Sequence, residues 1–146
     1  MLISWIAPDN GGSPIIKYTI YIQNSDGISY STQMTNCDAS QSSIVTSKNC
    51  NIPSLSLHLS PFLLPWASHV FAKVIATNLY GDSEESLPGN GAIIYAIPDK
   101  PVDLTEDYGQ RTATSLGLTW IDGADPGGLP VLDYRVSITE PTTELN

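Results

Sequence analysis

One pattern is written twice in this chain, and it constrains the fold more than any other feature. Near the start, Ser4-Trp5-Ile6 is followed by Gly11-Gly12-Ser13-Pro14-Ile15-Ile16-Lys17-Tyr18. Near the end, Thr119-Trp120-Ile121 is followed by Gly127-Gly128-Leu129-Pro130-Val131-Leu132-Asp133-Tyr134. The offset is 115 at the Trp and 116 at the Tyr, so one residue has been added between them. Self-similarity at domain length means modules in series. The expectation is a chain that begins inside one module and stops inside the next.

Within that frame almost every apolar segment alternates at period two, the signature of a half-buried strand. Ile16, Tyr18, Ile20 and Ile22 share one face, with Lys17, Thr19 and Tyr21 on the other. Val70, Ala72, Val74 and Ala76 share a face of the segment 69–77. Leu55, Leu57 and Leu59 alternate with Ser56 and His58, which predicts a strand over 52–59 with His58 pointing outward. Further strands are expected at 2–6, 28–34, 92–96, 102–104, 115–121 and 131–138. A polar loop is expected at 81–90, with Gly89-Asn90-Gly91 as a turn. Ile97-Pro98-Asp99-Lys100-Pro101 reads as the linker, because two close prolines cannot serve as interior members of a ladder. The module boundaries are therefore 1–97 and 98–146. No stretch shows sustained helical periodicity, so the fold class expected is all-β, with sandwich modules in tandem.

Composition narrows the function. The 146 residues carry 15 acids against 6 bases, for a net charge of −9. Nucleic acid and anionic membrane are excluded as partners, since both need clustered Lys and Arg. No segment is apolar enough to span a bilayer, and Met1-Leu2-Ile3-Ser4-Trp5 lacks the basic start of a signal peptide. Cys37 and Cys50 lie in a Ser/Asn/Thr-rich stretch, away from any His cluster. They read as a disulfide closing a short loop, against the alternative of two buried free thiols, and a disulfide implies an oxidising compartment. There is no Asn-x-Ser/Thr sequon, while Ser and Thr are abundant enough for an O-linked glycan.

The residues, taken in order, resemble fibronectin type III modules. Trp5 and Trp120 sit where that family keeps a core Trp on strand B, and Pro14…Tyr18 and Pro130…Tyr134 match the entry and core Tyr of strand C. The run Val74-Ile75-Ala76-Thr77-Asn78-Leu79-Tyr80-Gly81-Asp82-Ser83 resembles the end of strand F, and Pro98-Asp99-Lys100-Pro101-Val102-Asp103-Leu104 resembles the opening of strand A. The resemblance implies an immunoglobulin-like sandwich, with strands B to G in residues 1–97 and strands A, B and C in residues 98–146. Trp5, Tyr18, Val74, Trp120 and Tyr134 would be core residues. The cysteine pair would link the end of C′ to the start of E. Val70 stands where the family usually has a corner Tyr, so Trp66 and the nearby prolines are expected to pack that corner. The topology also implies an inter-module contact between Phe62, Leu63 and Trp66 on one side and the loop holding Asp122, Gly127 and Leu129 on the other. The F–G loop, with Tyr80, Asp82, Glu84 and Glu85, is where the family would place partner recognition.

No catalytic constellation is present. His58 and His69 are the only histidines, and no G-x-S-x-G, H-E-x-x-H, P-loop or G-x-G-x-x-G occurs. Asp9-Asn10 and the Asp122/Asp125 pair read as turn formers, too few in oxygen ligands for calcium. No enzyme activity, cofactor or metal is expected. The expectation is a structural or adhesive repeat module of a secreted or cell-surface protein, within a longer secreted precursor. It would act through neighbouring modules or copies of itself, and would polymerise into a filament through module contacts or strand addition. Two other readings remain: a receptor or adhesion ectodomain binding another extracellular protein, and an accessory module of a secreted enzyme.

Overall fold

A computed structural model of the chain describes residues 1–139. The chain divides into two compact units, Met1–Ile97 and a second beginning at Pro98. The described part is mostly antiparallel β-structure with few helices.

The first unit holds two sheets. Strand β1 (Leu2–Ser4) pairs antiparallel with β4 (Asn49–Asn51), with Ile3 opposite Cys50. The larger sheet is built on β5 (His69–Asn78), which pairs with β2 (Lys17–Gln23) on one side. On its other side β5 meets β6 (Gly81–Asp82) and β7 (Gly89–Ile93), while β3 (Tyr30–Thr32) closes the sheet beyond β2. The alternation in β2 sets the core: Tyr18, Ile20 and Ile22 are buried, while Lys17 on the opposite face is exposed. Cys50 and Ile52 come from the smaller-sheet side, and Ile3 and Trp5 pack against the same cluster, so both sheets share one core. Ile22, Ile52, Leu57, Phe62 and Ile94 are sealed from solvent, each worth about 1.5–3 kcal/mol of burial.

Beyond β6 the chain follows β5 without forming a regular ladder. Backbone N–H groups of Ser83 and Ser86 donate to the carbonyls of Ala76 and Val74 at 2.8 and 3.0 Å. In return, the N–H groups of Ala76 and Val74 donate to the Ser83 and Ser86 hydroxyls, each at 3.0 Å. Two serine side chains thus supply acceptors where a strand would offer carbonyls. Part of the expected polar loop is therefore ladder-like, and Gly89-Asn90-Gly91 belongs to β7 rather than to a turn.

Two short helices depart from the all-strand expectation. Helix α1 (Ser42–Ser47) packs Ile44 and Val45 against the core and ends with Lys48 in the left-handed region, its N–H on the Ile44 carbonyl at 2.8 Å. Its β-branched run argues locally for strand, and tertiary packing overrides that preference. The segment expected as a strand at 52–59 contains α2 (Ser54–His58). Pro53 and Pro61 bracket it and cannot donate to a ladder, so the Leu-x-Leu-x-Leu alternation has no neighbouring strand to pair with. Only Leu57 of the three leucines is buried. His58 is not an outward strand residue. It is half-buried, its Nδ1 lies 2.9 Å from the Leu64 carbonyl, and its ring stacks on Trp66 at 4.4 Å.

The second unit pairs β8 (Val102–Glu106) with β9 (Leu118–Ile121), Thr105 opposite Thr119 and Glu106 opposite Leu118. Between them Asp107 accepts the Gly109 N–H at 3.0 Å and opens a 3-10 turn at Tyr108–Gln110. Gly117 lies so close beneath this turn that a Cβ there would sit 2.5 Å from the Gln110 Cβ. The strand expected at 131–138 is not formed: the described residues there belong to no ladder, and Leu132 and Ile138 are exposed. Alternation reports which side chains share a face, but a strand also needs a hydrogen-bonding neighbour, which β2 has on both sides and residues 131–138 do not find among the described residues.

Cys37 and Cys50 form a disulfide with their Cα atoms 5.4 Å apart, tying the chain after β3 to β4. Both are buried. With a sequence separation of 13, the loop-entropy argument assigns this link about 3 kcal/mol. Replacing Cys37 and Cys50 together by Ala should lower the stability measured by urea denaturation by about that amount; an unchanged midpoint would show that the link does not constrain the fold.

Candidate interaction surface

The repeated motif builds the same local frame in both units. In the first, the Trp5 and Tyr18 rings meet edge to face, with centroids 5.2 Å apart and planes at 66°. In the second, Trp120 and Tyr134 meet at 5.3 Å and 57°. The loops between them also correspond. The Asp9 carboxylate accepts the Gly11 N–H at 2.8 Å, and the Asp125 carboxylate accepts the Gly127 N–H at 2.7 Å. Gly11 and Gly12 have φ of 62° and 83°, and Gly127 and Gly128 have 75° and 92°. Two consecutive residues at positive φ explain why the motif spends a Gly pair at this point.

The two frames differ in how the aromatic polar ends are met. The Tyr134 hydroxyl donates to the Asp122 carboxylate at 2.5 Å, and this bond, with the neighbouring negative charge, raises the phenol above its ordinary value. Tyr18 is 4% exposed, whereas Tyr134 is 38% exposed. The Trp5 indole N–H is buried with no hydrogen-bond partner among the described residues. It lines an open cleft of about 400 Å³ together with Ile6, Pro8, Val74 and Glu84.

One end of the first unit is fixed by a single side chain. Asn78, at the end of β5, accepts the Tyr80 N–H on Oδ1 at 2.8 Å, and its Nδ2 donates to the Asn10 carbonyl at 2.9 Å. The β5–β6 hairpin is thereby pinned to the loop after β1. Leu79 and Tyr80 project from this support, Tyr80 at 88% exposure. Of the four residues expected in the partner loop, only two are uncommitted. Asp82 accepts from the Thr77 hydroxyl at 2.5 Å, and Glu85 pairs with Lys73 at 2.9 Å. That hydrogen bond, with the Glu85 charge, holds the Lys73 ammonium above its ordinary value, and Lys73 also lies 4.5 Å over the Tyr30 ring. Tyr80 and Glu84 are left facing solvent.

The residues expected to form an inter-module contact have these surroundings within their own units. Phe62 is a core residue at 1% exposure, its carbonyl accepting the Ser25 N–H at 2.8 Å. Trp66 is half-buried, its ring stacked on His58, while Pro61 and Pro65 are exposed. Leu63 is exposed. Asp122 is engaged by Tyr134, Gly127 is buried in its turn, and Leu129 is exposed. Val74 and Trp120 are half-buried.

Among the described residues, no group of three or more His, Cys, Asp or Glu side chains converges to hold a metal, and no helix is long and apolar enough to cross a membrane. Neither a scan against protein-family models nor a comparison with curated proteins returns a match. The sequence reading missed Asn78 as the clamp. Its position at a strand end beside a Gly-containing turn was the available signal, since Asx side chains bond backbone N–H groups two residues on.

Replacing Asn78 by Ala should lower stability by about 1 kcal/mol and speed hydrogen exchange at the Tyr80 amide. If the Tyr80 amide exchanges at the original rate, the clamp is not what holds the hairpin.

Proposed function

We propose that the chain carries fibronectin type III-like sandwich structure in series, strands B to G in residues 1–97 and strands A to C of a second module in residues 98–146, serving as a structural repeat of a secreted or cell-surface protein. The observation that carries this reading is the recurrence, about one module length apart, of the same Trp–Tyr ring contact and the same Asp-x-Gly-Gly turn. The strand order β3-β2-β5 with β6 and β7, beside the β1–β4 pair around a shared core, supports a two-sheet reading of the first unit. The buried disulfide fits an oxidising compartment. Modules of this kind act mechanically, through spacing and through contacts with copies of themselves, and the acidic surface keeps those contacts selective by like-charge repulsion.

A second reading rests on the exposed Leu79–Tyr80 tip held by Asn78: a rigid aromatic on a fixed hairpin suits recognition of another extracellular protein. Sedimentation over a range of concentrations, with electron microscopy of the same samples, separates the two. The structural reading predicts association into thread-like assemblies. Monomers at every concentration, joined by a soluble protein whose binding is lost in Tyr80→Ala, would replace it with the second reading.

A further inference from the structure

The turn after β1 carries a side-chain amide that its backbone does not need. The Asp9 carboxylate accepts the Gly11 N–H at 2.8 Å, and the Asn10 Oδ1 accepts the Gly12 N–H at 2.9 Å. The equivalent turn of the second unit, at an offset of 116, reads Asp125-Pro126-Gly127-Gly128. It repeats the bond from the Gly127 N–H to the Asp125 carboxylate, at 2.7 Å, and the pair of positive-φ glycines. Pro126 stands there in the place of Asn10, so the turn forms without an amide side chain at that position.

The groups around the Asn10 amide have complementary chemical roles. An asparagine side chain can be attacked at Cγ by the backbone nitrogen of the next residue, which closes a five-membered ring. The attacking nitrogen must lose its proton, the amide oxygen must carry developing negative charge, and the approach must be uncrowded. Here the Gly11 N–H is bonded to the Asp9 carboxylate, within the roughly 2.6–3.2 Å reach expected of a general base. The Gly12 N–H is bonded to the Asn10 Oδ1, the atom on which the charge develops, at the distance an oxyanion donor requires. Gly11 has no Cβ to obstruct the attack. Nucleophile and electrophile belong to adjacent residues, so no association entropy opposes their meeting. Every participating group comes from residues 9–12, and Asn10 is exposed to the water that completes the reaction.

We infer that Asn10-Gly11 is a self-modification site, at which the chain converts Asn10 to an aspartyl or isoaspartyl residue with Asp9 as the base. The Gly11 nitrogen gives its proton to Asp9 and bonds to the Asn10 Cγ, moving the carbonyl electron pair onto Oδ1 against the Gly12 N–H. The carbonyl re-forms as the Cγ–Nδ2 bond breaks, and Nδ2 leaves as ammonia with the proton held by Asp9. Water then opens the resulting succinimide. Opening at Cγ restores the original backbone with a carboxylate side chain. Opening at the main-chain carbonyl leaves the chain running through the side chain. Either product adds a negative charge. The second also removes the Asn10 main-chain carbonyl from the backbone. That carbonyl accepts the Asn78 Nδ2 at 2.9 Å and the Ser13 N–H at 3.2 Å. The modification therefore acts on the clamp that ties the β5–β6 hairpin to this loop.

The test incubates the full-length chain at neutral pH, folded and in guanidinium chloride, and follows residue 10 by peptide mapping with mass spectrometry. The folded chain should convert about tenfold faster than the unfolded one, a modest share of what a positioned base supplies. Asp9→Asn keeps an acceptor for the Gly11 N–H but removes the base, and should slow the folded chain about tenfold. Asn10→Pro, which copies the turn of the second unit, should keep the circular dichroism spectrum and release no ammonia from this loop. Equal rates in the folded and unfolded chain, or a rate undiminished in Asp9→Asn, would overturn the self-modification site. Should Asp9→Asn fail to fold, the comparison of folded with unfolded wild-type chain decides alone. The isoaspartyl product should exchange its Tyr80 amide faster than the unmodified chain; an unchanged rate would overturn the effect on the clamp.

Discussion

Both units hang on an indole set against a tyrosine ring. In the first unit the Trp5 ring follows β1, in the small sheet, and the Tyr18 ring comes from β2, in the large one, so their 5.2 Å contact bridges the two layers. An edge-to-face pair contributes about 0.5–1.5 kcal/mol beyond its buried area. Its larger effect is geometric. With Trp5 facing inward, Ile3 and Met1 must also face inward, Leu2 and Ser4 must face outward, and the register with β4 follows. With Tyr18 inward, Ile20 and Ile22 complete the buried face of β2. The turn between them has to reverse the chain within a fixed length, and the Asp-x-Gly-Gly sequence does so with an Asx bond and two positive-φ glycines.

The same constraint explains where surfaces are left for contact. Fixing β1 against β4 commits one of its edges. Fixing β2 against β5 carries the end of β5 to the loop after β1, where Asn78 joins the two and lifts Leu79 and Tyr80 into solvent. The acidic side chains nearby are largely occupied by their own neighbours: Asp82 serves Thr77 and Glu85 serves Lys73. What remains in solvent there is the Leu79–Tyr80 tip beside the uncommitted Glu84.

Much of this was legible in the sequence because it depends on local periodicity. The β2 and β5 strands and the cysteine pair follow from alternation or position within short windows, while the contact between the Trp and Tyr rings needed the fold. What was not legible depends on partners distant in sequence. The leucines at 55, 57 and 59 alternate as a strand would, yet prolines on both sides leave them no ladder, and they close into a helical turn. Residues 131–138 copy the pattern of β2 but pair with no strand among the described residues. Helix α1 opposes its own β-branched propensity, and in that conformation Ile44 and Val45 pack against the core. The clamp at Asn78 required knowing that residue 10 lies beside residue 78.

The central claim is that one frame is built twice, and ring-to-ring nuclear Overhauser effects test it most directly. With centroids at 5.2 and 5.3 Å, the account predicts cross-peaks between the Trp5 indole and the Tyr18 ring, and a second set between Trp120 and Tyr134. Cross-peaks from the first pair alone would contradict it, because the second copy of the motif would then be a likeness of sequence without a likeness of structure.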